Sequence, residues 1–428
     1  MATYLAPDIY IEEIPGGARP IQAVGTSTAG FVGEAPRADA RVNEAVAINN
    51  WSQFLKEFTA DGSVSTALSH AVYGFFQNGG HRCYVVNVGK GGSIAGGGRE
   101  RTGLDLLEAV DEIAIVAAPG YADAGSYDAL LSHCEKLKDR VAILDAPQQV
   151  DDIDMLTEVA TANTKPPARD RGAAGAAAST PAKDEGDAAA PAPAAGDAAR
   201  VGLRPRQSDG GFGALYFPWI TVRDPLAPAT LVDVPPSGHI AGVWARTDAT
   251  RGVHKAPANE AVRGALNVTY QLTRDEQGVL NPVGINCIRL FAREGIRVWG
   301  ARTLADGSSE WRYLNVRRLF NMIEESIVDS TRWIIFEPND KTLWKSIRRD
   351  VGAFLTRLWR DGALMGSTPE QAFFVKCDEE TNPPEIIDAG MVVTLIGIAP
   401  VKPAEFIVFR VSQYAAGADV EVAEGTNA

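Results

Sequence analysis

The segment ALSHAVYGFFQNGGHRCYVVNV, residues 67–88, changes its hydrophobic period halfway along. Ala67, Leu68, Ala71, Val72, Phe75 and Phe76 recur at i, i+4 and i+8, the stripe of a helix that buries one face. Gly79-Gly80 ends it, because glycine takes the left-handed conformation that closes a helix. From Cys83 to Val88 the run is short, apolar and rich in valine, which suits a strand buried on both faces. Residues 29–33, AGFVG, supply a matching strand ahead of the helix. Further on, 112–118 and 141–146 read as two more strands separated by a helix from about 126 to 137, and 214–222 resume as a strand. Strands alternating with helices predict an α/β domain with a mainly parallel sheet.

The remainder of the chain reads differently. Gly, Pro and Asp crowd residues 233–257, which predicts a long structured loop. Residues 285–291 and 296–304 flank Arg293-Glu294-Gly295, a hairpin signal. Two amphipathic helices follow. One carries Leu314, Val316, Leu319, Phe320, Ile323 and Ile327. The other starts after the capping residues Asn339 and Asp340 and buries Leu343, Trp344, Ile347, Val351, Phe354, Leu355, Leu358 and Trp359. Strands at 373–377, 391–398 and 405–411 complete an α+β domain with an antiparallel sheet. Within the α/β part, ahead of the strand at 214–222, lies an Ala/Pro-rich stretch, about 161–208. It has no Leu, Ile, Val or aromatic residue over 172–199, so nothing there can bury a face, and a disordered surface loop is expected.

Across 428 residues, 41 Lys and Arg stand against 54 Asp and Glu, a net charge of −13. Such an acidic chain is not expected to bind nucleic acid, whose phosphates call for a basic surface. Cys83, Cys134, Cys287 and Cys377 are scattered and form no C-x-x-C pair, which points to buried thiols in a reducing cytoplasm. Residues 1–15 carry Asp8, Glu12 and Glu13 and do not read as a secretory signal. The longest apolar run, 391–399, is about half of a membrane span, so no membrane insertion is expected.

Enzymatic patterns are sparse. Lys90 is followed by Gly91, and Val85 stands where a phosphate loop needs glycine, so that motif fails twice and no cofactor is expected. His81 with Cys83 and His133 with Cys134 lack the paired spacing of a zinc site, and no metal is expected. His70, on the polar face of its helix, reads as solvated. The most enzyme-like segment is Pro235-Pro236-Ser237-Gly238-His239 with Asp248 and His254 downstream, the residue types of a nucleophile, an orienter and a base. Ser237 is not in a G-x-S-x-G elbow, however. The stronger reading is a structural loop in which Pro235, Pro236, Ser237, Gly238, Gly242, Asp248 and Gly252 set the backbone. A soluble hydrolase using Ser237, His254 and Asp248 is the alternative.

Two features suggest partners. Opposite the apolar stripe of the 341–360 helix lie Lys341, Lys345, Arg348 and Arg349, a basic strip in an acidic protein. At the two ends, the β-prone Ile9, Tyr10, Ile11 and Ile14 are set apart by Pro15, Gly16, Gly17 and Pro20, and Phe406, Ile407, Val408, Phe409 and Val411 form a second extended segment. Extended arms of this kind pair with an exposed sheet edge of a neighbour, or else complete their own sheet.

Longer segments carry a family likeness. PDIYIEEIP at 7–15, STAGFVG at 27–33 and VPPSGHIAGVWARTD at 234–248, followed by RGVHKAPAN at 251–259, resemble the sheath proteins of contractile phage tails and contractile injection systems. VWGARTL at 298–304, YLNVRR at 313–318, FEPND at 336–340 and APVKPAEFI at 399–407 agree as well. The resemblance implies a structural protein and no enzyme: a homopolymer of stacked six-fold rings around an inner tube, contracting from a metastable extended state. It implies an N-terminal arm at 1–20, an outer α/β domain at 21–258, an inner tube-facing domain at 259–404 and a C-terminal arm strand and tail at 405–428. The implied partners are other copies, an inner tube protein, and baseplate and terminator or cap proteins. The implied setting is a phage tail or tail-like particle assembled in the bacterial cytoplasm. On this likeness, Lys345, Arg348 and Arg349 become the candidate tube contact.

Overall fold

The computed structural model describes residues 20–97, 100–161 and 202–408. Ile9, Tyr10, Ile11 and Ile14, the Ala/Pro-rich residues 162–201, and Phe409 and Val411 lie outside the described residues. In chain order, β1 (Ala29–Gly33) is followed by β2 (Ala45–Ile48), α1 (Trp51–Phe58), α2 (Ala67–Asn78) and β3 (Cys83–Asn87). Then come β4 (Ile115–Ala117), α3 (Ala124–Leu137), β5 (Val141–Asp145), β6 (Gly213–Phe217), β7 (Ile220–Arg223) and β8 (Leu231–Val234). The chain continues through α4 (Ser237–Arg251), β9 (Glu260–Ala261), β10 (Asn267–Val268) and α5 (Arg274–Leu280) to β11 (Ile285–Phe291) and β12 (Gly295–Trp299). Beyond these lie α6 (Leu314–Ser330), α7 (Lys341–Arg360), β13 (Phe373–Lys376) and β14 (Leu395–Ile398).

A nine-stranded sheet runs β2-β3-β1-β4-β5-β6-β11-β12-β9. Its centre, from β3 to β11, is parallel, with Ala29 opposite Cys83 and Ile285 opposite Leu215, while β2 and β12 run against it and β9 pairs antiparallel with β12. The strand period of two sorts the core. Phe31, Val85 and Ile143 face α2 and α4, whereas Val32, Val86 and Leu144 face α3. Both faces are covered, as a parallel sheet requires. The α2 helix opens with a reciprocal Thr66–Ser69 capping box and closes at Gly79, φ 110°. A third core joins α6, α7 and the β13–β14 pair and receives Ile21 from the N-terminal linker. All four cysteines are buried free thiols. Among the described residues no helix is long and apolar enough to cross a membrane.

Four expectations are corrected. Residues 237–251, read as part of a loop, form α4, so Ser237, Gly238, Gly242 and Asp248 are helical and Gly252, φ 90°, is its C-terminal cap. Glycine there does not break the helix; it lets α4 approach α2, as shown below. The hairpin expected at 285–291 and 296–304 is present as β11 and β12, but it does not belong to the C-terminal α+β part. Instead β11 pairs in parallel with β6, so the large sheet extends past residue 258 and ends at residue 299. Local periodicity gave no sign of this partner 70 residues earlier. The single strand expected at 214–222 is two, in different sheets, divided at Pro218. His70 is buried rather than solvated; burial lowers its pKa, and the charge of Asp224, between β7 and β8, opposes that.

Candidate functional site

The first and last described segments of the chain are each tied to the body by side-chain hydrogen bonds. At the N-terminal root, Ile21 is buried and its carbonyl accepts from Arg357 Nη2 on α7. The Gln22 and Val24 amides donate to Ser330 Oγ (3.3 Å) and Ser326 Oγ (3.0 Å) on α6. Thr26 Oγ1 then donates to Asp248 Oδ2 at 2.6 Å, and the Thr26 carbonyl accepts from Arg318 Nη2 at 3.0 Å. Asp248 and Arg318 form a two-pronged ion pair at 2.9 and 2.5 Å, with side chains only 6% and 3% exposed. The Arg318 guanidinium also lies over the Trp244 ring, 4.7 Å from its centroid. One buried knot therefore ties the N-terminal linker, the end of α4 and the start of α6.

The C-terminal root is built similarly. Glu405 Oε1 accepts from Arg302 Nε (2.9 Å) and Asn281 Nδ2 (2.8 Å), while Oε2 accepts from Arg302 Nη2 (2.7 Å) and Tyr313 Oη (3.3 Å). Its pKa is lowered by these hydrogen bonds, which outweigh the opposing effect of burial. Directly beyond the clamp, Phe406, Ile407 and Val408 are 75%, 73% and 77% exposed. No strand includes them among the described residues.

The Ser237, His254 and Asp248 constellation is not assembled. Ser237 opens α4 and Asp248 sits eleven residues later, about 16 Å along the axis at 1.5 Å per residue. Ser237 Oγ donates to Asp145 Oδ2 (2.6 Å) and its amide to Oδ1 (2.8 Å); the Gly120 amide donates to Oδ2 as well (3.1 Å). Asp145, from the end of β5, thus caps the N-terminus of α4 across the sheet. Complete burial pushes its pKa up to about 6 against the pull of those donors. His254 is half-buried, and its carbonyl accepts from Asn315 Nδ2 at 2.8 Å. Pro235 and Pro236 lead into α4, and His239 is buried against Gly74, where a Cβ would lie 2.3 Å from Nδ1. Among the described residues no group of three or more His, Cys, Asp and Glu side chains is disposed to hold a metal.

The basic strip is only partly free. Lys341 pairs with Glu379, and Arg349 Nε donates to Asp350 Oδ1 at 2.9 Å. Lys345 and Arg348 line a shallow groove of about 290 Å³ beside Asp378, Glu379 and Glu380. A second cleft, of about 660 Å³, between α6, the end of α3 and the turn before β4 is acidic. Asp111, Glu112, Asp139, Glu324, Glu325 and Asp329 line it, with Lys138 and Arg332 the cationic side chains. Burial, then Asp139, Asp111 and Asp329, push Glu325 up to about 7, while Arg140 opposes them.

Because native Glu325 holds its proton between the unfolded value of 4.5 and about 7, stability falls as pH rises through that window. Glu325→Gln is expected to raise the melting temperature at pH 8 and to leave it nearly unchanged at pH 4. Thermal unfolding at both pH values checks this, and a pH-independent effect contradicts it.

Asp145, Thr26, Arg302 and Glu405 were not singled out from sequence, since each acts through a partner distant in the chain. Arg318 lies inside the YLNVRR segment, yet nothing local assigned it a role. What the fold and these roots define is a doubly covered sheet and a helical lobe, with the segments at residues 21–26 and at Glu405 clamped to the body.

Two family models match the chain: the phage tail sheath protein central domain over residues 120–304 and the phage tail sheath C-terminal domain over 306–413. The chain belongs to the tail sheath family. It is 32% identical over 177 residues to the tail sheath protein of Vibrio phage KVP40, a match spanning 41% of this chain and 26% of that protein. The chain thus spans about a quarter of that relative's length. Its fold matches a chain of the PVC extracellular contractile injection system sheath complex in its contracted state, with TM-score 0.71, 28% identity, and 96% and 99% of the two chains covered. It also matches a chain of the six-fold symmetrised anti-feeding prophage baseplate, with TM-score 0.70, 28% identity, and 96% and 100% covered. The mixed α/β architecture with its large, mainly parallel sheet is that of these sheath structures.

Proposed function

We propose that this chain is a structural subunit of a contractile sheath, polymerising as stacked six-fold rings around an inner tube. On a baseplate trigger the metastable extended lattice would shorten and drive the tube through a target envelope, with no nucleotide, cofactor or metal consumed. The observation that carries this reading is the pair of clamped roots. The C-terminal root fixes Glu405 to the body just before the exposed Phe406, and the N-terminal root ties residues 21–26 to α6 and α7. Arm strands on both sides, Ile9 to Ile14 and Phe406 to Val411, extend sheets of neighbouring copies. Each main-chain hydrogen bond so gained contributes about 0.5–1.5 kcal/mol net. The two-stranded β13–β14 sheet is a suitable acceptor, with outer edges that no strand among the described residues pairs and with exposed Phe374 and Leu395. Head-to-tail joints whose rotation closes make rings, and those whose rotation does not close, here between successive rings, build a helical polymer. Contraction then needs two packings of rigid bodies separated by a barrier.

In this arrangement the large sheet faces outward and the lobe of α6, α7 and β13–β14 faces the tube. Baseplate and terminator or cap proteins close the two ends. The particle is a phage tail or tail-like injection device assembled in the bacterial cytoplasm. Lys345, Arg348 and Arg349 touch the tube through screened charges, weak enough to let go. Negative-stain electron microscopy of the purified chain should show hollow striated cylinders or stacked six-fold rings. Particles that stay small even with the tube protein supplied overturn the reading. Lys345→Glu with Arg348→Glu should abolish co-assembly with the tube while sheath-only polymers persist; unchanged tube binding would sink the assignment of the strip.

A further inference from the structure

The connection between α6 and α7 breaks the chemistry of its own turn. Glu337 N donates to the Ile334 carbonyl at 3.0 Å, closing a turn over Ile335 and Phe336. Ile335 has φ −63° and ψ 124°, and Phe336 has φ 70°. This is a type II turn, whose third position favours glycine because φ is positive there. A bulky side chain in that conformation is an outlier, and such strain persists where surrounding structure holds it for a use.

Phe336 is also fully exposed, at 102% of its reference area, and Ile335 beside it is 64% exposed. Among the described residues nothing covers the Phe336 ring, and most of the Ile335 side chain is exposed as well. The loop is nevertheless firmly held. Trp333 and Ile334 pack on the third core, Trp344 Nε1 donates to Asn339 Oδ1 at 2.8 Å, and Asn339 Nδ2 donates to the Met391 carbonyl at 2.8 Å. The last bond sets the loop beside the exposed segment of Met391 and Val393 that leads into β14, the edge assigned above to a neighbour's arm.

We propose that Phe336 is an anchor through which one copy of this chain grips a second copy, its ring buried against the neighbour where that neighbour's arm meets β14. This rests on the polymer reading above. A second copy is favoured over the inner tube by the kind of contact. An apolar ring gains its energy by leaving water, is insensitive to salt, and suits a joint that must survive contraction. The tube must be released, which suits the screened basic strip instead. Because helical joints are head-to-tail, the knob and its seat lie on different faces of the subunit, and one substitution removes half of every joint.

Phe336→Gly separates the turn from the anchor. Glycine suits the turn, so the isolated subunit should melt at the same temperature or higher. The concentration needed for sheath-only polymer, read by pelleting and microscopy, should rise roughly ten- to a hundredfold, the loss expected when a buried aromatic ring is removed. Phe336→Tyr should restore assembly close to wild type. A Phe336→Gly subunit that polymerises at the wild-type concentration overturns the proposal. So does one whose sheath-only polymer is normal while its tube co-assembly is lost, since that places the ring on the tube. A wild-type chain that makes no polymer in any condition fells the function proposed above, a result visible without the variant.

Discussion

Asp248→Ala lowers the unfolding free energy by about 3–5 kcal/mol, the cost of stranding a buried charge whose partner has been removed. The partner is Arg318, 3% exposed, which would keep only the Thr26 carbonyl and the face of Trp244. The attraction in the intact pair roughly offsets the desolvation of both ions, so it is the break, and not the pair itself, that is costly. Replacing both together, Asp248→Leu with Arg318→Met, should therefore cost markedly less than either single change. Chemical denaturation of the three variants measures this, and a double variant as unstable as the sum of the singles contradicts it. A second consequence concerns assembly. Thr26 loses both its acceptor, Asp248 Oδ2, and the fixed position of its donor, so the N-terminal linker loosens from α6. Under the sheath reading the arm root then no longer moves with the body, and polymer yield should fall even below the melting temperature.

How much of this was legible in the sequence follows from the range of each interaction. The short apolar, valine-rich run at 83–88 and its match at 29–33 announced buried strands, and the α2, α6 and α7 helices were readable from their stripes. What failed was whatever depended on a distant partner. Pro235-Pro236-Ser237-Gly238 looked like a loop because glycine and proline disfavour helix, and the compensating cap, Asp145, comes from 92 residues away. The 285–299 hairpin carries a clear local turn but no local sign that β6 is its neighbour. The arm roots are the same case: Glu405 gains meaning only beside Arg302 and Asn281. The family likeness named the function class, while the residues that hold the arms to the body had to be seen in place.

Gly238→Ala and Gly242→Ala are expected to be destabilising, against the usual gain from replacing a helical glycine by alanine. A Cβ at 238 would sit 2.2 Å from Ala71 Cα, and one at 242 would sit 2.5 Å from the Phe75 carbonyl oxygen. Both obstacles are main chain of α2, so no rotamer change relieves them and the two helices must move apart. Interiors packed to crystal density tolerate such shifts poorly, and each change should cost at least the ~1–3 kcal/mol typical of overpacking. Gly278→Ala in α5 is the control. Nothing lies within 4 Å of its Cβ, so it should be neutral or slightly stabilising, by up to about 1 kcal/mol. If all three changes behave alike, close approach of α4 to α2 is not what these glycines provide. The clash also reaches the ion pair, since Asp248 lies at the far end of the same helix. Pushing α4 off α2 tilts that end away from Arg318. Gly242→Ala and Asp248→Ala should therefore combine less than additively, the second change removing a contact that the first has already strained.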